Sequence, residues 1–326
     1  MLELTCDNAA EYLREHGFSP DAVTFLSGGV SNVVFRVDGA RGPFILKQSR
    51  PQLRTRDAWF SDIRRIWREQ EVMEALAPYL DEATVPRVLF VDRDNYTFAM
   101  SHAPAGAVVW KEQLLAGKID DAVAARVGRV LACIHQSSAE HAGDFQRFAD
   151  TTIYDELRID PFYRRVQQRV PDVAAVIEPM VHDMLTRKES LCHGDYTPKN
   201  MLVHDAGFML VDYETAHFGD PTMDLGLCLA HLFLKAARRP ADSPALHAAI
   251  RALWREYAAN VAFRPVGELE RRGAAHLGVC LLARVDGTSP VDYLDEQAKD
   301  KVRRLARAIL LDGVRRWEDV LNMSRT

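Results

Sequence analysis

Apolar residues come in short bursts over the first hundred positions and in longer, helix-spaced stretches beyond them. Residues 7–16 read as a short helix ended by Gly17. Val23 to Leu26 then read as a strand leading to the turn Ser27-Gly28-Gly29. Val33, Val34, Phe35 and Val37 are rich in β-formers, and Asp38-Gly39 is a hairpin signal. Phe44, Ile45 and Leu46 make a third strand ending at Lys47. A long helical stretch is expected from about 55 to 79, with Ile63, Ile66, Met73 and Leu76 partly keeping helical spacing. Val88-Leu89-Phe90-Val91 reads as a fourth strand after Pro86, and 96–100 as a fifth after a turn at 92–95.

The pattern changes after Ala103-Pro104-Ala105-Gly106, the best linker candidate. Beyond it, 122–135 is an amphipathic helix. Leu246, Ala249, Ile250, Leu253 and Tyr257 mark a second helix, and Val302, Leu305, Ile309 and Leu310 a third that stops near Gly313. The exception is 201–212, two short strands around Asp205-Ala206-Gly207. The pattern therefore predicts an α+β protein: a small antiparallel-sheet lobe over 1–103, then a larger, mainly helical lobe over 104–326 carrying one hairpin.

The 326 residues allow two domains or one large one, and 48% hydrophobic residues suffice for a real core. The net charge of −5 supplies no general attraction for nucleic acid, so no nucleic-acid partner is expected. The five cysteines, at 6, 133, 192, 228 and 280, show no CxxC spacing, so neither a disulfide scaffold nor a cysteine-based zinc site is expected. No run of about 18 apolar residues exists, and the N-terminal segment lacks a basic start and a cleavage site. These features lead to the expectation of a soluble cytoplasmic protein without a membrane partner. Oligomeric state is not legible.

Candidate chemistry is concentrated in Leu191-Cys-His-Gly-Asp-Tyr-Thr-Pro-Lys-Asn-Met-Leu-Val203 and Met209-Leu-Val-Asp-Tyr-Glu214. Asp195 and Asn200 lie on a loop opening into a strand, and Asp212 ends the paired strand. A hairpin would bring Asn200 and Asp212 to one end, near Asp195. Two hard oxygen ligands beside a further carboxylate suit Mg²⁺ shared with phosphates. The third carboxylate can then accept a proton or orient a hydroxyl. Phosphoryl transfer needs this combination of positioning and charge neutralisation.

These residues resemble a family. HGDxxxxN followed by a strand-end Asp is similar to the catalytic signature of the aminoglycoside phosphotransferase and choline kinase superfamily, which has a bilobal protein-kinase-like fold. HGDYTPKN and the helix after Arg54 resemble its methylthioribose-kinase side, from which Asn200 departs. The resemblance implies an ATP- and Mg²⁺-dependent kinase acting on a small hydroxyl compound. It implies Asp195 as catalytic base, Asn200 and Asp212 as Mg²⁺ ligands, and His193 as a brace of the loop. Glu214 stands where protein kinases place the Gly of Asp-Phe-Gly. In Asp220-Pro-Thr-Met-Asp-Leu-Gly226, Asp224 would anchor the loop.

The N-terminal lobe would then hold the nucleotide. Gly28, Gly29, Ser31 and Asn32 lie in a turn whose backbone can approach phosphate, although such a turn is often only a hairpin. Lys47 ends its strand where kinases place the lysine that contacts the α- and β-phosphates. Its carboxylate partner would be Glu69 or Glu71. Residues two apart do not share a helix face, and Glu69 has Met73 and Leu76 at +4 and +7, so Glu69 is preferred. Met100, Ser101 and His102 resemble the hinge that contacts adenine.

The acceptor is not legible in the catalytic core. Arg284 and Asp286, at the end of an apolar helix before Gly-Thr-Ser-Pro, are either acceptor contacts or a solvated helix end. A protein kinase and a nucleotide-binding pseudokinase scaffold remain alternatives. The five tryptophans, at 59, 67, 110, 254 and 317, are scattered; core packing is the default for each, and no aromatic cage for a quaternary ammonium can be placed.

Overall fold

A computed structural model describes residues 1–26, 32–50 and 62–324. Five strands, β1 (Pro20–Phe25), β2 (Asn32–Gly39), β3 (Phe44–Ser49), β4 (Val88–Asp92) and β5 (Thr97–Ser101), form an antiparallel sheet in the order β1-β2-β3-β5-β4. Side chains alternate across a strand, and here both faces are covered. Val33, Phe35, Val37 and Leu46 pack with Tyr12 and Leu13 of helix α1 (Ala9–Glu15). Ile45, Phe98 and Met100 face the main core with Ile66, Val72 and Met73 of α2 (Arg65–Leu76). Lys47 is two residues from Ile45 and so shares the α2 face. The long helix expected from about 55 is described only as α2, because 51–61, like the turn residues Gly28, Gly29 and Ser31, lie outside the described residues. The helix ends at Leu76 with Ala77 as its cap, one residue before Pro78, which has no N–H to extend the hydrogen-bond ladder.

The C-terminal part is mostly helical. Its longer helices are α3 (Asp121–Glu140), α4 (Ala174–Thr186), α5 (Thr222–Arg238), α6 (Ser243–Ala259), α7 (Val266–Asp286) and α8 (Glu296–Leu311). Helix α3 begins at Asp120, whose carboxylate accepts the Ala122 N–H at 2.8 Å. Gly128 lets α3 lie directly on α6, since a Cβ there would sit 2.0 Å from the Leu253 carbonyl oxygen. Helix α5 is buried along nearly its whole length and packs against α7.

The single hairpin expected here is instead part of a larger set of short strands. Strands β8 (Met201–His204) and β9 (Gly207–Leu210) are joined by β6 (Val108–Val109), while β7 (Ser190–Cys192) pairs with β10 (His217–Gly219). Strands of two or three residues are too short to show alternation. A π-helical stretch, Asp155–Arg164, carries Pro161 within it. Among the described residues no helix is long and apolar enough to cross a membrane.

Candidate active site

The β8–β9 ladder sets the geometry. Met201 pairs with Leu210, and the Val211 N–H donates to the Asn200 carbonyl at 3.0 Å, so Asn200 and Asp212 emerge at the same end. Asp212 adopts a left-handed backbone, φ 73° and ψ 56°, and opens the turn Tyr213–Thr215. The loop carrying Asp195 leaves β7 alongside. Its His193 and Gly194 N–H groups donate to the two Asp224 carboxylate oxygens at 2.6 and 2.8 Å. Gly194 has φ 75°, and a Cβ there would lie 2.6 Å from the Thr215 carbonyl oxygen, so glycine is required. His193 spans the loop: its Nε2 meets the Val211 carbonyl at 3.2 Å, and its Nδ1 accepts the Asp195 N–H at 3.2 Å.

Lys47 Nζ donates to Glu69 at 2.5 Å and lies 3.5 Å from Asp212. Glu69 is fully buried, whereas Glu71 faces outward and pairs with Arg93 at 3.3 Å. Asn32 donates to Glu214 at 3.0 Å, and Arg65 reaches the same carboxylate at 3.3 Å. Lys47 thus serves Glu69 and Asp212 while Arg65 serves Glu214, and oxygens of the three carboxylates lie within 4.8 Å of one another. Burial pushes Glu69 up to about 7, against the pull of Lys47, and the other two carboxylates add to the rise. Lys47 is held charged well above its ordinary range: burial opposes this, but the surrounding carboxylates outweigh it.

Asp195 sits 2.8 Å from Arg158, 2.8 Å from Lys199 and 2.9 Å from the Asn200 amide. Burial works to raise its pKa, yet the two cations hold it well below the usual carboxylate range. The Asn200 amide nitrogen also donates to the Asp195 carbonyl at 2.9 Å, which leaves its amide oxygen as an acceptor. The oxygen-only donors Asn200, Asp212 and Glu214 fit a hard divalent cation, and the buried Glu69 Oε1 has no hydrogen-bond partner.

These groups line one cavity of about 1400 Å³ running between the sheet and the helices. A single small ligand usually occupies roughly 300–1,000 Å³, so there is room for two. Ser101 and His102 lie on its wall, but the Ser101 N–H is already given to the Arg87 carbonyl at 2.9 Å. Of the two expected acceptor contacts, only Arg284 lines the cavity. Asp286 is corrected: it pairs with Arg303 at 2.8 Å, because two residues apart on α7 means different faces. Reasoning from sequence missed Arg158, since the stretch around Pro161 has no helical periodicity. It also gave no role to Glu214, although its place two residues after Asp212 was a visible signal.

A five-stranded antiparallel sheet, a buried Lys–Glu pair and a loop Asp across one cleft define a kinase-like fold. The family model for the phosphotransferase enzyme family matches residues 22–260, and the chain belongs to that family. Methylthioribose kinase of Escherichia coli (strain S88) is 26% identical over 274 residues, covering 73% of this chain and 65% of that protein. The Bacillus cereus (strain B4264) methylthioribose kinase is 23% identical over 266 residues, covering 72% and 67%. The chain therefore spans about two thirds of the length of these relatives. Among solved structures, a choline/ethanolamine kinase family protein from Mesorhizobium loti shares the fold with a TM-score of 0.57, at 19% identity and 98% coverage of both chains. Amicoumacin kinase gives 0.55, at 15% identity and 96% coverage of both.

Proposed function

We propose that this chain transfers the γ-phosphoryl group of ATP, with Mg²⁺, to a hydroxyl of a small polar molecule. The observation that supports this most is the meeting of the Lys47–Glu69 pair, Asp212 and Asp195 in one cavity large enough for two ligands. Residues 1–103 would hold the nucleotide, with Lys47 contacting its phosphates and Met100, Ser101 and His102 beside the base. Residues 104–326 would supply the reacting loop and the acceptor site. Asn200 and Asp212 would hold Mg²⁺ with help from Glu214, and the metal supplies charge neutralisation on the phosphates.

Asp195 would accept a hydrogen bond from the acceptor hydroxyl and aim its oxygen at phosphorus. A carboxylate held so low is a weak base, which suits a loose transition state in which proton transfer lags behind bond breaking. Lys199 and Arg158 stand where negative charge must be balanced. Methylthioribose kinases among the relatives make small sugar-like alcohols the first acceptors to test. Five cysteines without disulfides suit a reducing compartment, which we take to be the cytoplasm. No nucleic-acid partner is included in this reading.

The test is transfer of labelled phosphate from ATP across a panel of hydroxyl metabolites, with and without Mg²⁺, and with a protein substrate alongside. Label on a small molecule that needs both Mg²⁺ and Asp195 is expected. Label on the protein alone, or nucleotide binding without any turnover, would overturn the proposal.

A further inference from the structure

Beyond Asp195, Arg284 and His231 line the helical end of the cavity, while Lys235 is buried and does not line it. Burial first, and then the charge of Lys235, holds His231 well below its ordinary value, so its ring is neutral near pH 7. His231 and Lys235 lie one turn apart on α5. Lys235 is buried, and its Nζ donates to the His231 carbonyl at 3.1 Å. Arg284 enters from α7, where it donates to the Ser289 hydroxyl at 3.2 Å and keeps a buried Nε without a hydrogen-bond partner. Lys111 and Arg238 add their charge to that of Lys235. Among the described residues none of these five side chains makes an ion pair. Asp195 acts electrostatically on both His231 and Arg284, but it is already matched by Arg158 and Lys199. Asp292 lines the cavity only as an exposed side chain.

The arrangement is costly unless something negative joins it. Burial, with the charge of Lys111 next, pushes Lys235 down to about 7. With a net charge of −5 for the whole chain, the gathering of Arg284, Lys235, Lys111 and Arg238 without a carboxylate partner among the described residues is a feature of this region, and its counterweight is the Tyr293 ring, 5.7 Å from Lys235 and 5.8 Å from Arg238. Two other buried cations have carboxylates: Lys47 has Glu69, and Arg272 has Asp220 at 2.5 Å.

We infer that the acceptor carries an oxyanion group, a carboxylate or a phosphate, besides the hydroxyl that is phosphorylated, and that Arg284 receives it, with His231 on the same wall and Lys235 adding charge from a buried position that does not line the cavity. This rests on the phosphotransferase reading of the same cavity. A guanidinium presents paired donors that match either oxyanion, and the hydroxyl end would then point back at Asp195. A polycationic acceptor is disfavoured by the same charges.

The experiment compares matched probes by calorimetry: ribose with ribose 5-phosphate, and glycerol with glycerate. The full chain is first saturated with Mg²⁺ and a non-hydrolysable ATP analogue, so that the nucleotide end is filled. The anionic member of at least one pair is expected to bind roughly 10-fold more tightly or better, the scale of a charged hydrogen bond. Arg284→Gln should cancel that preference and Lys235→Met should weaken it, while nucleotide affinity stays unchanged in both, and Arg284→Lys should keep part of it. Equal binding within both pairs, no binding of either anion, or a preference surviving Arg284→Gln would overturn the inference. A second titration, in Lys47→Met without nucleotide, separates the two readings. An Arg284-dependent anion preference there supports the inference even if the wild-type chain binds no ATP. ATP turnover on neutral acceptors without any preference sinks it and leaves the phosphotransferase reading standing.

Discussion

The Arg158 guanidinium lies 2.8 Å from the Asp195 carboxylate, and its Nε donates to the Gly194 carbonyl at 2.9 Å. One side chain from the π-helical stretch Asp155–Arg164 therefore both sets the charge state of the loop and pins its backbone.

Removing that cation should expose the titration of Asp195. With its pKa depressed, Asp195 stays ionised throughout pH 4–8, and no acid limb of the wild-type rate in that range belongs to it. In Arg158→Met, burial is less opposed, so the pKa rises and an acid limb moves into the range. Single-turnover rates from pH 4 to 8 check this, and superimposable profiles would contradict it.

Asp195→Asn should lower turnover by about 10²- to 10⁴-fold, the scale of a positioned base. ATP affinity should hardly change, because Lys47 and Asp212 are untouched. A wild-type kcat in this variant would remove Asp195 from the mechanism.

Asp224 never needs to touch a ligand, yet its substitution should be felt. Asp224→Asn keeps the shape but replaces one acceptor oxygen with a donor facing the His193 or Gly194 N–H. An unsatisfied buried N–H costs about 1–3 kcal/mol. Urea unfolding should show a loss of that size, and kcat should fall more than the ATP dissociation constant rises.

Two buried histidines make stability depend on pH. Burial pushes His217 and His276 down to about 4, while an unfolded histidine titrates near 6.5. Between these values the unfolded chain binds more protons, so stability is complete above about 6.5 and falls as pH drops toward 4. Melting temperature should decline across that window, and His276→Gln should flatten the slope. An identical slope in the variant would place the effect elsewhere.

Legibility in the sequence followed the range of the interactions. Periodicity over one helix was enough to separate Glu69 from Glu71, because burial of Met73 and Leu76 fixes which face turns inward. The same rule, applied to Arg284 and Asp286, would have shown that only one can face the cavity. Strands β2, β3 and β5 were legible because they run five residues or more. The pairs β6–β8 and β7–β10 were not, since two- and three-residue strands exist only through tertiary contact. Arg158 was invisible for a related reason: its partner is 37 residues away and its own segment is a π-helical stretch that carries Pro161.

Asp212 answers to several demands at once. Its left-handed backbone suits Asp as it suits Asn or Gly. Burial and its acidic neighbours oppose its charge, but Lys47 at 3.5 Å, with Lys199 and Arg158, holds its pKa below the usual carboxylate range. The fold therefore favours the same ionised carboxylate that its proposed duty toward the metal requires. Stability and activity should fall together at this position. Asp212→Asn is expected to melt below wild type and to bind Mg·ATP more weakly, so a screen for thermal robustness would retain the carboxylate that the chemistry uses.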